Sequence, residues 1–194
     1  MDVLITNSKK ESKLSPIGQA LIYTTGGLAI GVSVVCISFV SPALRKFCLP
    51  FVPATTTQLT GVSKALANHH GKLLDVGSGD GRIVFTAAKL GFKAEGVELN
   101  PWLVYYSRLA ALLKPEFYGT KFYRQNLWTF NLKPYDVIVI FGVEQMMEDF
   151  EYKLLKEVNP DTVVVACRFP LPNMTPIEII GHGVDTVWKY VIKR

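Results

Sequence analysis

The spacing of hydrophobic positions along the chain changes its character partway. From Ala20 to Val40 (ALIYTTGGLAIGVSVVCISFV) apolar residues are nearly continuous, and no charged residue occurs between Lys13 and Arg45. From Gly71 onward, short apolar runs alternate with stretches of helical spacing. The first pattern predicts one long helix. At about 1.5 Å per residue it spans roughly 30 Å, the thickness of a bilayer's hydrocarbon core. Gly26, Gly27 and Gly31 weaken a helix in water, but in a membrane they let another helix approach closely. Pro42 ends the segment, and Arg45 and Lys46 follow as an interfacial anchor.

Three readings of residues 20–41 compete: a membrane-spanning anchor, a cleaved signal peptide and a buried soluble helix. The stretch is long for a signal peptide and no clear small-residue cleavage site ends it. Lys9, Lys10 and Lys13 on one side balance Arg45, Lys46 and Lys64 on the other, so charge sets no orientation. Asp2, Glu11 and the lack of arginine make residues 1–13 a poor cleavable transit peptide, although an uncleaved anchor can itself act as the address.

The second pattern predicts a tail at 1–19, the anchor at 20–41, a connector at 42–56 and one α/β domain at 57–194. Within the connector, the prolines and threonines of PFVPATTTQ (50–58) lead into a helix, which the threonines can cap, over Thr57–Asn68. Strands are expected at Lys72–Val76, Ala94–Glu98, Lys121–Arg124, Asp136–Phe141, Thr162–Cys167 and Thr186–Ile192. Helices are expected at Arg82–Leu90, Pro101–Leu113 (with Asn100 as N-cap) and Glu148–Glu157. This alternation points to a parallel sheet covered by helices on both faces.

Composition narrows the classes. Hydrophobic residues make up 49% and charged residues 19%, which excludes a largely disordered chain. The formal charge of +5 comes without a basic run, and no nucleic-acid-binding signature accompanies it, so no nucleic-acid partner is expected. Cys36, Cys48 and Cys167 are few and far apart, which argues against a disulfide framework or a metal site. His69–His70 reads as a polar helix end, since nothing is spaced to complete a metal site.

The strongest chemical signal is LLDVGSGDGR at 73–82. An apolar strand runs into Asp75, then Gly77, Gly79 and Gly81 at alternate positions, then a helix. Glycine suits a loop that turns sharply and must approach a ligand without a Cβ in the way. Dinucleotide sites require a third glycine three positions after the second, and Arg82 stands there instead. A Walker A motif is absent as well. The spacing is that of sites for S-adenosylmethionine, which has no pyrophosphate to cradle. Glu98, ending the next strand in GVELNPW, can accept both ribose hydroxyls. Asp75 can order the loop, and Asn126, after KFYRQ, either stands where an acidic or amide side chain meets adenine or is a simple turn asparagine.

PFVPATTTQ, LLDVGSGDGRIV, GVELNPWLVYYSR, NLW, FGVEQMM, ACRFPLP and GVDTVW occur in this order. Together they resemble the mitochondrial protein-lysine methyltransferases that act on the ATP synthase c subunit and the ADP/ATP carrier, over roughly residues 48–190. FGV-QMM and ACRFP look more like the c-subunit branch. The resemblance implies a Rossmann-like, seven-stranded class I α/β fold with S-adenosyl-L-methionine as methyl donor. The implied acceptor is a lysine ε-amine of a membrane-embedded protein, methylated up to trimethyllysine. It also implies residence at the mitochondrial inner membrane, with residues 20–41 in the bilayer.

Carried over residue by residue, Asp75, Gly77, Gly79, Gly81 and Glu98 bind the cofactor, and Thr55 and Thr56 close over its methionine end. Two positions depart from the family pattern: Asn126 replaces aspartate, and Glu144 replaces proline in the loop where the acceptor should enter.

Glu144 is then the best-placed carboxylate if a base is used, or a surface charge at a helix start. Phe141, Phe169 and Trp188 are candidates for a lysine channel or for core packing. Arg168 can pair with a carboxylate of cofactor or acceptor, or form a structural ion pair. Other acceptors remain open: the ADP/ATP carrier, a small molecule or a lipid. So does a tethered assembly factor that binds the cofactor without turnover.

Overall fold

The computed structural model describes residues 15–40 and 52–193, apart from the side chains of 38–40. Pro42, Arg45, Lys46, Cys48, Pro50 and the charges ahead of Ser15 lie outside those residues. Two compact units divide the chain, one ending at Ile37 and the other starting at Ser38.

The N-terminal unit holds all but the last three residues of α1 (Pro16–Val40). It begins at Pro16 rather than at Ala20, where the apolar run starts. The reason is local: the Ser15 side chain accepts a hydrogen bond from Gly18 N–H at 3.1 Å, and Pro16 occupies the first turn, where its missing N–H costs nothing. The hydroxyls of Thr24, Thr25 and Ser33 bond back to carbonyls one turn earlier in the helix. Thr25 donates to the Leu21 carbonyl at 2.7 Å and Ser33 to Ala29 at 2.8 Å, which leaves the surface effectively apolar. Pro16–Ile37 is long and apolar enough to cross a membrane, and none of it is buried.

The second unit is an α/β domain. Its elements in order are α2 (Thr56–Ala65), β1 (Lys72–Val76), α3 (Arg82–Lys89), β2 (Lys93–Glu98), α4 (Pro101–Leu112) and β3 (Lys121–Arg124). There follow β4 (Val137–Phe141), α5 (Glu144–Glu157), β5 (Val163–Cys167), β6 (Glu178–Ile180) and β7 (Val187–Val191). The strands form one sheet in the order β3-β2-β1-β4-β5-β7-β6. β1 lies near its centre, between β2 and β4, and both neighbours run parallel to it. Alternation along the buried strands feeds two cores. Val137 and Val139 face one with Ile83, Val84 and Val104, while Ile138 and Ile140 face the other with Phe150 and Leu154.

The sheet has the seven strands that the resemblance implies, but it is mixed where the alternation alone pointed to a parallel one. β7 pairs antiparallel with both β5 and β6. No α-helix links β5 to β7, only β6 and a 3₁₀ turn at Gly183–Asp185, and a parallel return needs a longer crossover. The chain turns back through β6, a three-residue and largely exposed strand too short to carry a periodic signal. α5 starts at Glu144, one turn ahead of the expected Glu148. A glutamate in the first turn suits the helix's positive end, a signal that the apolar spacing alone does not carry.

Candidate active site

The glycine loop sits at the carboxyl ends of β1 and β2, beside the point where strand order reverses, the usual ligand position in such sheets. Gly77, Gly79 and Gly81 have φ of 75°, 52° and 84°, in the left-handed region that side chains resist. Gly77 N–H and Ser78 N–H both donate to the Val97 carbonyl, at 2.9 and 3.1 Å, and stitch the loop to β2. The Ser107 hydroxyl on α4 donates to the Gly79 carbonyl at 3.2 Å. A Cβ on Gly81 would lie 2.9 Å from the Phe122 ring, so close approach as well as φ requires glycine there.

Glu98 closes the other side. Its Oε2 accepts from Gly79 N–H at 3.0 Å, and its Oε1 accepts from Leu99 and Asn100 N–H at 2.8 Å each. The carboxylate ordering the loop is thus Glu98, half-buried one strand away. Asp75 has a different position: it is 1% exposed, and neither of its oxygens has a hydrogen-bond partner. Burial first, then the charges of Glu98 and Asp80, hold its carboxyl well above the usual carboxylate range. Leaving such a group unpartnered is costly, and a cationic ligand group offsets that cost. Burial, with Asp75 second, also pushes the nearby Cys167 thiol up, so this sulfur is inert.

One residue that sequence reasoning missed matters as much as the loop glycines. Gly96 on β2 is paired with Asp75, and a Cβ on it would fall 2.6 Å from the Ser78 side chain. Only glycine lets the loop fold onto β2. The isolated G in KAEGVE carries no such signal, because the clash comes from another segment.

Thr55 caps α2 in a reciprocal box with Gln58. Its hydroxyl also donates to Asp185 Oδ1 at 2.7 Å, and Gln58 Nε2 reaches the Val184 carbonyl at 3.0 Å. The connector runs beside the glycine loop, since the Arg82 guanidinium, paired with Asp80, donates to the Ala54 carbonyl. Thr56, the first residue of α2, is exposed. Asn126 is exposed and caps a 3₁₀ turn at Leu127–Thr129, accepting from Trp128 N–H at 3.0 Å.

The acceptor side is less unified. Glu144 is exposed on the first turn of α5. Phe141 packs with the core on one sheet face, whereas Phe169 and Trp188 pack with the other, so the three do not share one cluster. Arg168, just past β5, has φ of 72°, and its guanidinium carbon lies 5.8 Å from the Phe169 ring centre. Strain of this kind in a non-glycine residue recurs at functional sites. The loop behind it is held by two groups that sequence reasoning did not single out. Leu171 N–H donates to the Tyr190 hydroxyl at 2.9 Å, and Asn173 N–H to buried Glu151 at 2.9 Å. Glu151 shares the inward face of α5 with Met147 and Leu154, and that spacing was the available clue. His69 and His70 line a pocket with Asp136 and Asp161 at the opposite, amino end of the strands. Among the described residues, no group of three or more ligating side chains is placed to hold a metal.

Together, a three-glycine turn ending the first strand, a carboxylate facing it from the second and the strand order define the class. This is a Rossmann-like class I S-adenosylmethionine-dependent methyltransferase. The residues fit that cofactor: an unpartnered buried carboxylate for a cationic group, a cradle free of Cβ atoms and an acid for paired hydroxyls. An RNA methyltransferase from Salinibacter ruber, solved with S-adenosyl-L-homocysteine, superposes with a TM-score of 0.68 and 26% identity, over 73% of this chain and 94% of that one.

Residues 75–178 match the ANTKMT methyltransferase domain model, and residues 11–45 match the N-terminal domain model of the ATP synthase c-subunit lysine N-methyltransferases. The Homo sapiens ATP synthase c-subunit lysine N-methyltransferase is 52% identical over 173 residues, covering 89% of this chain and 74% of that protein. The Mus musculus adenine nucleotide translocase lysine N-methyltransferase is 34% identical, over 88% of this chain and 76% of that protein. The chain belongs to the ATP synthase c-subunit lysine N-methyltransferase family.

Proposed function

We propose that this chain methylates a lysine ε-amine of the ATP synthase c subunit at the mitochondrial inner membrane, with α1 as a single-pass anchor. The observation that carries the choice of acceptor is the extent of the likeness. It runs through residues 11–45, which match the N-terminal domain model of the c-subunit enzymes, and identity is 52% to the human c-subunit enzyme against 34% to the mouse carrier enzyme. The donor supplies an electrophilic methyl on a sulfonium. Gly77, Gly79 and Gly81 admit the nucleoside without side-chain obstruction, Glu98 accepts from its ribose and Asp75 meets its cationic end. Asn126 lies at the adenine side, and Thr55 and Thr56 bound the methionine end.

A lysine, with an ordinary pKa near 10.4, must reach the methyl as a neutral amine. Burial beside a sulfonium disfavours the ammonium form, so a dedicated base is not required. Phe169 and Trp188 offer aromatic faces to the acceptor channel, and Arg168 meets an acceptor carboxylate. A shared bilayer raises the effective concentration of an embedded acceptor that cannot diffuse to a soluble enzyme.

Labelled S-adenosylmethionine, incubated with the full chain and mitochondrial membranes from cells lacking the endogenous enzyme, tests this. The expected result is one small labelled protein, carrying its label on lysine. Label in a carrier-sized band moves the acceptor to the ADP/ATP carrier, and label in the lipid extract makes this a lipid methyltransferase. Cofactor binding without any transfer leaves a tethered binding factor.

A further inference from the structure

α4 presents a second apolar surface that the domain does not use. Val104, Ser107 and Ala111 turn inward. Trp102, Tyr105, Tyr106, Leu109, Leu112 and Leu113 lie on the outward side, each between 40% and 73% exposed. Their spacing of three and four places them along one helical face. α4 contains no acidic residue. From Pro101 to Gln125 the cations are Arg108, Lys114, Lys121 and Arg124, opposed only by Glu116. Arg108 donates to the Phe122 carbonyl at 2.6 Å, tying α4 to β3 at the sheet's edge. The outer surface of α5 is the contrast: exposed Glu144, Glu148 and Asp149 would repel an anionic surface.

Tryptophan and tyrosine beside leucines, on a helix free of acids and rimmed by four cations against one glutamate, match the chemistry of a headgroup interface. Aromatic rings favour that depth, aliphatic side chains reach past it and cations meet lipid phosphates. We propose that the outward face of α4 docks on the surface of an anionic phospholipid bilayer and lays this edge of the domain against the membrane. Since α4 starts directly after Glu98–Asn100, docking would hold the cofactor mouth near the bilayer surface, where an embedded acceptor exposes its loops. The proposal rests on the reading of α1 as an anchor only for bringing the domain to the bilayer.

The test uses the full chain with Cys36→Ser and Cys48→Ser, a polarity-sensitive dye on a single introduced cysteine, and vesicles of phosphatidylcholine with or without phosphatidylglycerol. Dye at Leu109→Cys is expected to shift to the blue on vesicles containing phosphatidylglycerol, and to shift less in high salt. Dye at Tyr152→Cys on α5 is expected to stay water-like. Flotation and dye at Leu28→Cys report α1 separately. A chain that floats while the Leu109 dye stays water-like overturns the proposal and leaves the anchor standing. A Leu109 shift without a Leu28 shift keeps the proposal and removes the anchor, and a chain that does not float removes both.

A shift that needs added acceptor protein, or that follows protein concentration without vesicles, overturns the proposal in favour of a protein partner or a second copy. Leu109→Glu with Leu112→Glu should lower transfer to acceptor in vesicles about tenfold. Transfer to detergent-solubilised acceptor and cofactor affinity should stay unchanged. Equal loss in vesicles and detergent would also overturn it.

Discussion

Beyond β1 and β2 the candidate cofactor surface is largely backbone: positive-φ glycines, N–H groups and one carboxylate that three of those N–H groups hold. Beyond β4 and β5 the candidate acceptor side is made of side chains on loops, among them Phe169 and the strained Arg168, steadied from behind by Tyr190 and Glu151. The first surface depends on local rules, since glycine is favoured where φ is positive and required where another segment also presses close. The second depends on which loops the fold brings together, so it can change acceptor while the cofactor half stays fixed. The two halves should therefore separate in experiment.

The largest effect is expected from Glu98→Ala. Losing charge-assisted bonds to two hydroxyls should weaken cofactor binding on the order of 100-fold, seen by calorimetry with S-adenosylmethionine and with S-adenosylhomocysteine. The fold should stay intact by circular dichroism, because water can reach the freed N–H groups of this half-buried site. Undiminished affinity would take Glu98 out of the ribose contact.

Asp75→Asn comes next and acts in two directions. Folded Asp75 keeps its proton to higher pH than the unfolded chain, whose ordinary value is 3.8. Its contribution to apo stability is therefore full below that value and is lost as pH rises through the raised folded-state value. The Asn variant should melt higher than the parent at neutral pH and show a flatter stability profile, while binding the cofactor about tenfold more weakly. A variant that binds with parental affinity would remove Asp75 from the cofactor site.

On the acceptor side, Phe169→Leu keeps an apolar side chain of similar bulk but removes the aromatic face. Transfer to the acceptor should fall a few-fold, about the worth of an exposed cation–π contact, with the cofactor Kd unmoved. Unchanged kcat/KM would make Phe169 a packing residue. The smallest effect belongs to Glu144→Gln: transfer within about twofold of the parent and an unmoved pH–rate profile, since its visible contribution is to the end of α5. A displaced alkaline or acid limb would make Glu144 the base after all.

Much of the domain was legible beforehand because the signals are local. Lys72–Val76 and Lys121–Arg124 form strands at the expected bounds, and Asn100 caps α4 by accepting from Trp102 N–H at 3.0 Å. The glycine spacing announces its loop because left-handed φ is a property of single residues. Legibility stopped where an element is short or its meaning lies in another segment. β6 has too few residues for a period, and Thr55 reads as a helix cap without showing that Asp185 shares its hydroxyl.

The sequence by itself determined the order of the six longer strands and the helices, the three-glycine turn, the acid that follows it and an apolar stretch long enough for a bilayer. Each is written in neighbouring residues through period, φ preference or length. Only tertiary structure decided that β7 returns antiparallel, that Gly96 must lack a side chain and that Asp75 is buried with no partner. The cause is packing between distant segments, which fixes burial, clash and charge only once the sheet has assembled.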